Sequence, residues 1–202
     1  MFSNLKNNMI NQYFMDCKYS AVPPSVHKYR LMVICGYNHS TDKTVLCGFI
    51  VIHRENEKTF TEIFKFLYEK LNFNPHNIMV DFNLAQINGL RNIFGNNISI
   101  HACFFHYSQA IWRNFGKYGL CNKKSYSSNT ELLFNLQILS FIDRNKIKDL
   151  YKKITKKYSS NKSFFDYFRK TWLGNKYPLK LWNFNDIIKN DNIDDKFISL
   201  II

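Results

Sequence analysis

Long apolar runs are missing from this sequence. No stretch approaches the roughly 18 apolar residues that a membrane-spanning helix needs, so no membrane partner is expected. The opening Met-Phe-Ser-Asn-Leu-Lys-Asn-Asn lacks the apolar core of a secretory signal, which points to a protein inside the cell. Cysteine is sparse and odd in number: Cys17, Cys35, Cys47, Cys103 and Cys121 form no Cys-x-x-Cys pair, which argues against a disulfide scaffold and a four-cysteine zinc ribbon. Internal repeats and long low-complexity blocks are absent. Acids are scarce as well, with 15 Asp and Glu against 28 Lys and Arg, a formal charge of +13.

What is there describes a folded chain. Of its 202 residues, 46% are apolar and 17% aromatic, far from the composition of a disordered segment and enough for one domain, or one with an appended subdomain. The positive charge suits a polyanion, because Lys and Arg beside phosphates release condensed counterions. The frequent Asn, Lys and Ile also match the codon bias of an AT-rich genome, which raises the charge without any partner.

The first third reads as strands at Phe14 to Ser20, Arg30 to Tyr37 and Val45 to Ile52, separated by turn-formers at Pro23-Pro24 and Asn38 to Asp42. The period then changes. Phe60, Ile63, Phe64, Leu67 and Leu71 mark a helix, with Thr59 and Glu62 as a capping box. A strand from Ile78 to Phe82, a helix through Leu84, Ile87, Leu90 and Phe94 closed by Gly95, and a strand from Ile98 to Phe105 complete the order β-β-β-α-β-α-β. Short connections favour a mixed sheet with helices on its faces, an α/β fold. From Tyr107 the pattern is helical, on faces through Tyr107, Ile111 and Phe115, then Leu132, Leu136 and Leu139 after a Ser128/Glu131 capping box, then Ile147 and Tyr151, then Phe164, Phe165, Phe168 and Trp172. The expected organisation is a core over residues 1–106, an α-helical insertion over 107–182 and a polar tail over 183–202.

Two acids stand in unusual places: Asp16 inside the first strand and Asp81 at the end of the fourth. If those strands are neighbours, the carboxylates lie side by side, an arrangement that suits Mg²⁺ completed by phosphate and water. A short acid before a helix is also a common N-cap, a role open to Asp81 and equally to Asn83. His101-Ala-Cys103-Phe-Phe-His106 offers soft ligands, but a closed zinc site needs four and no second pair has suitable spacing, so a buried thiol and a hydrogen-bonded imidazole are favoured over zinc. Tyr107, Trp112 and Phe115 can stack on bases or fill a core. The doublets Lys123-Lys124, Lys152-Lys153 and Lys156-Lys157 are either a solvated surface or a phosphate-tracking groove.

These residues together resemble a family. Asp16-Cys-Lys-Tyr-Ser-Ala-Val-Pro-Pro is similar to the D-G-T-F-x-x-x-P segment that opens the catalytic domain of Mutator-like (MULE) transposases. Ile78-Met-Val-Asp81-Phe-Asn-Leu-Ala resembles their I-M-T-D-F-E-x-A segment, and Cys103-Phe-Phe-His106-Tyr-Ser-Gln-Ala-Ile-Trp-Arg113 their C-x-F-H-x-x-Q-A-x-x-R stretch. Phe168-Arg-Lys-Thr-Trp172-Leu-Gly174, with Trp182-Asn183 beyond, resembles the Y-F-x-x-T-W-I-G and W-N run.

The resemblance implies an RNase H-like fold and a DDE mechanism. Water, and later a DNA 3′-hydroxyl, would attack phosphodiesters with the help of Mg²⁺ or Mn²⁺. Asp16 and Asp81 would be the first two metal-binding acids, and Cys103 and His106 would support the site or the insertion. Transposon-end DNA and other transposase subunits are the implied partners, and the nucleus the implied compartment. The family's third acid stands in a T-N-N-x-x-E-x-x-H helix after the Trp-Asn pair. Here Phe184 to Lys196 follows instead, and none of Asp186, Asp191, Asp194 or Asp195 stands in that motif. The expectation is a truncated or degenerate transposase domain; the alternative is a non-catalytic module that binds DNA or a complete transposase.

Overall fold

Runs of β-branched and aromatic residues form strands wherever turn residues bound them. In the computed structural model, which describes residues 10–18, 25, 28–121 and 126–189, these are β1 (Ile10–Lys18), β2 (Arg30–Asn38) and β3 (Lys43–Ile52), paired antiparallel in chain order as the expected meander. The β2–β3 turn is built by side chains. Asn38 Oδ1 accepts from the Ser40 N–H at 2.9 Å, Tyr37 donates its hydroxyl to Asp42, and Asp42 takes the left-handed φ of 54° that short polar residues tolerate. The Pro23-Pro24 turn, Lys123-Lys124, and Asp191, Asp194 and Asp195 lie outside the described residues.

α1 (Glu57–Leu71), β4 (Asn77–Val80), α2 (Leu84–Phe94) and β5 (Ser99–Ala102) follow. The sheet order is β3-β2-β1-β4-β5, with β1 antiparallel to β2 and parallel to β4, so the sheet is mixed and the fold α/β. One local expectation changes: α1 starts earlier than the Thr59/Glu62 box. Asn56 is its N-cap, and Asn56 Oδ1 accepts the Thr59 N–H at 2.9 Å, which places Thr59 inside the first turn. The apolar stripe is as read, with Phe60, Phe64 and Leu67 fully buried. Gly89 of α2 meets α1 so closely that a Cβ there would stand 2.8 Å from the Phe60 Cβ, and only glycine permits that approach.

The chain divides into two compact units, Met1–His101 and Ala102–Ile202. The second is helical: α3 (Phe104–Lys117), α4 (Tyr126–Ile138), α5 (Arg144–Lys157), α6 (Lys162–Trp172) and the short α7 (Leu179–Trp182) and α8 (Asn185–Lys189). The fifth strand ends at Ala102 rather than Phe105, because α3 already takes up Phe104 and Phe105. Ser128 falls inside α4 rather than at its cap.

An aromatic cluster holds this unit. The Tyr107 ring stacks on Trp182 at 5.1 Å and meets Trp172 edge-on at 4.8 Å, while its hydroxyl donates to Leu136 O at 2.8 Å. Residues 183–187, expected to open a polar tail, are packed instead: Asn183, Phe184 and Ile187 are buried. Asn183 Nδ2 donates to Leu139 O at 3.2 Å and Ile142 O at 2.7 Å. A polar residue thus closes the carbonyls left at the end of a 3-10 turn over Leu139–Phe141, a role that hydrophobic periodicity does not signal.

Candidate active site

β1 occupies the middle of the sheet, and its partner β4 runs parallel with the register Gln12↔Asn77, Tyr13↔Ile78 and Phe14↔Met79. The last pair is Phe14↔Met79; two residues further along stand Asp16, still within β1, and Asp81, one residue past the end of β4, so a continued register would align the two acids. The condition set by the sequence, that the two acid-bearing strands be neighbours, is met. Asp16 is a half-exposed side chain with Lys18 Nζ at 3.5 Å, an exposed pair that adds little stability.

Asp81 is held by the turn that leads into α2. Its Oδ1 accepts the Asn83 N–H at 2.7 Å, so the carboxylate closes an Asx turn and is not the helix cap. Asn83 is the cap: its Oδ1 accepts from the N–H groups of Ala85 at 3.0 Å and Gln86 at 3.3 Å. Of the two caps open to the sequence, the one that stands immediately before the helix is used.

Three further side chains complete this corner. Arg30, the first residue of β2, forms an ion pair with Glu55 in the connection between β3 and α1, and both are largely shielded from solvent. Glu55 Oε2 also accepts Asn83 Nδ2 at 3.2 Å. Burial raises the Glu55 pKa, the Arg30 guanidinium opposes that rise, and the nearby Asp81 carboxylate adds to it. The Cys17 thiol is pushed far up by burial and then by Glu55, Asp81 and Asp16, which marks these acids as one electrostatic neighbourhood. Neither Arg30 nor Glu55 announces itself in the sequence. Arg30 reads as a strand end, and Glu55 belongs to the charged run Arg54-Glu55-Asn56-Glu57 that looks like an ordinary solvated turn.

Oxygen donors of the Asp16 and Asp81 type suit a hard cation such as Mg²⁺, which is commonly held by one or two carboxylates and keeps several waters or substrate oxygens. Among the described residues no three His, Cys, Asp or Glu side chains converge as a metal-holding group. Asp186, the one described acid after the Trp-Asn pair, is exposed and pairs with Arg144 at 3.0 Å.

Cys103 and His106 stand at the start of α3 in the helical unit. Burial raises the Cys103 pKa, but hydrogen bonds from the His106 side chain and from the N–H groups of His106 and Phe105 outweigh it, and the thiol lies below its usual value. Of the aromatic residues able to stack on bases, Tyr107 and Phe115 are buried in the core and Trp112 is exposed. Lys152, Lys153, Lys156 and Lys157 are exposed on α5, where Ile147 and Tyr151 form the buried side. Lys152 pairs with Asp149 and Lys157 with Glu131, whereas Lys153 and Lys156 have no acidic partner among the described residues.

No curated protein matches the chain. One protein-family model does match, over residues 15–110, a span that contains Asp16, Arg30, Glu55, Asp81, Cys103 and His106 and ends within α3. That model is of the MULE transposase domain, and over those residues the chain is similar to it.

Proposed function

We infer that this chain acts on DNA as the metal-dependent strand-cutting and strand-joining part of a transposase, with Asp16 and Asp81 as its metal-binding acids and an RNase H-like core. The observation that carries this reading is the parallel pairing of β1 with β4, the two strands that lead to Asp16 and Asp81 within the matched residues. The order β3-β2-β1-β4-β5, with β1 antiparallel to β2 and parallel to β4, supports the RNase H-like reading. A bound divalent cation would supply Lewis-acid stabilisation of charge developing on a phosphodiester. The chain's own contribution would be to hold the cation through the Asp16 and Asp81 carboxylates, with the Asp81 turn anchored to the first residues of α2.

The test is Mn²⁺-dependent nicking of supercoiled plasmid DNA, read as conversion to the open circle, alongside Mn²⁺ titration by calorimetry. Stoichiometric Mn²⁺ binding together with nicking is the expected result. Absence of nicking at every Mn²⁺ concentration would overturn the catalytic reading.

The exposed lysines of α5 favour a second reading, a DNA-binding module without cleavage. Replacing Lys153 and Lys156 with Gln is expected to weaken DNA binding for all sequences alike and to reduce the slope of log affinity against log salt by about 1 per lost phosphate contact. Binding isotherms over a salt series measure this, and an unchanged slope would remove α5 from the interface.

A further inference from the structure

We propose that Glu55 is a positioning residue for Asp81, acting through Asn83 and held in place by Arg30. This rests on the metal-binding reading of Asp81 given above. Asn83 has every polar group committed. Its N–H goes to Asp81 Oδ1 at 2.7 Å, its Oδ1 accepts from Ala85 and Gln86, its carbonyl accepts the Ile87 N–H at 3.0 Å, and its Nδ2 goes to Glu55 Oε2 at 3.2 Å. Four of these contacts belong to its own turn and helix. The contact to Glu55, 28 residues away in sequence, ties the turn to another part of the unit.

An amide whose oxygen caps a helix can swing about its own side chain unless its nitrogen is also anchored. Glu55 provides that anchor, and Arg30 fixes Glu55 by an ion pair to the same Oε2. The chain Arg30, Glu55, Asn83, Asp81 therefore runs from the start of β2 to the candidate metal-binding acid. Groups that orient a ligating side chain in this way commonly change metal affinity by roughly 10–100-fold when removed.

The test compares Glu55→Ala with Glu55→Gln in the full chain. Hydrogen exchange is read at the Asn83 amide without metal, and Mn²⁺ affinity by calorimetry. In Glu55→Ala the Asn83 amide is expected to exchange roughly tenfold faster and Mn²⁺ to bind roughly tenfold more weakly, with exchange at Ile34 in the core of β2 unchanged. Glu55→Gln is expected to restore both, because its amide oxygen can still accept Asn83 Nδ2. A direct metal ligand, or an effect of charge alone, would make Gln as damaging as Ala, and that outcome overturns the proposal. So does an Ala variant indistinguishable from wild type.

If Glu55→Ala fails to fold, Asn83→Ser cuts the same link from the other side, since Ser keeps the helix cap but lacks the amide that reaches Glu55. Its expected result is the same loosening at the residue 83 amide, and unchanged exchange there overturns the proposal. Wild-type protein that binds no Mn²⁺ would overturn the metal-binding reading, and the exchange comparison would then decide the role of Glu55 by itself.

Discussion

Asp81→Asn is expected to reduce Mn²⁺-dependent nicking by at least about a hundredfold, the scale on which losing one group that stabilises transition-state charge slows a reaction. The substitution is chosen to separate charge from shape. Asparagine has almost the same volume as aspartate, and its Oδ1 can still accept the Asn83 N–H that closes the turn at 2.7 Å. The turn, the Asn83 cap and α2 should therefore survive, with a stability change within about 1 kcal/mol. What disappears is the negative charge and most of the affinity for a hard cation, which prefers carboxylate oxygen. Initial nicking rates across a Mn²⁺ series, paired with urea unfolding, provide the measurement. A variant that nicks at the wild-type rate would remove Asp81 from the chemistry; a variant that loses activity only by unfolding would show in the urea midpoint.

Trp182→Ala is expected to destabilise the helical unit by about 3–5 kcal/mol, the range for truncating a large buried aromatic side chain. Trp182 is completely buried, its ring stacks on Tyr107 at 5.1 Å, and its Nε1 donates to Trp172 O at 3.0 Å and Tyr177 O at 3.3 Å. Truncation leaves a cavity between two other aromatic rings and removes the donor from two carbonyls. Trp182→Phe keeps much of the stacking but not the N–H, so its cost should be smaller, about 1–3 kcal/mol. Typical domains have only about 5–15 kcal/mol of total stability, so the alanine variant stands near the limit of folding. Urea midpoints for the two variants check the order, and an alanine variant that unfolds with the wild type would contradict the packing described here for Trp182.

The secondary structure was legible wherever burial follows a period. Phe60, Phe64 and Leu67, then Tyr107, Ile111 and Phe115, then Phe164, Phe165, Phe168 and Trp172 are buried as their spacing requires. Boundaries were less legible, because caps depend on single polar side chains. Asn56 rather than Thr59 starts α1, and a thiol-bearing residue with no capping oxygen precedes α3. The 183–187 segment was read as polar because its Asn residues carry no hydrophobic signal, yet Asn183 is buried exactly where carbonyls need donors. Its amide bonds could be recognised only once Leu139 and Ile142 were seen beside it.

The candidate site divides along the same line. Local sequence determined that Asp16 lies in a strand, that Asp81 lies between a strand and a helix, and that both stand in segments like those of a known transposase domain, because strand alternation and helix periodicity are encoded by near neighbours. Tertiary structure decided that the acid-bearing strands β1 and β4 are parallel partners in the sheet, and that Arg30 and Glu55 meet beside Asn83. Those contacts join residues dozens of positions apart, and their energies depend on burial and direction, which only the folded chain supplies.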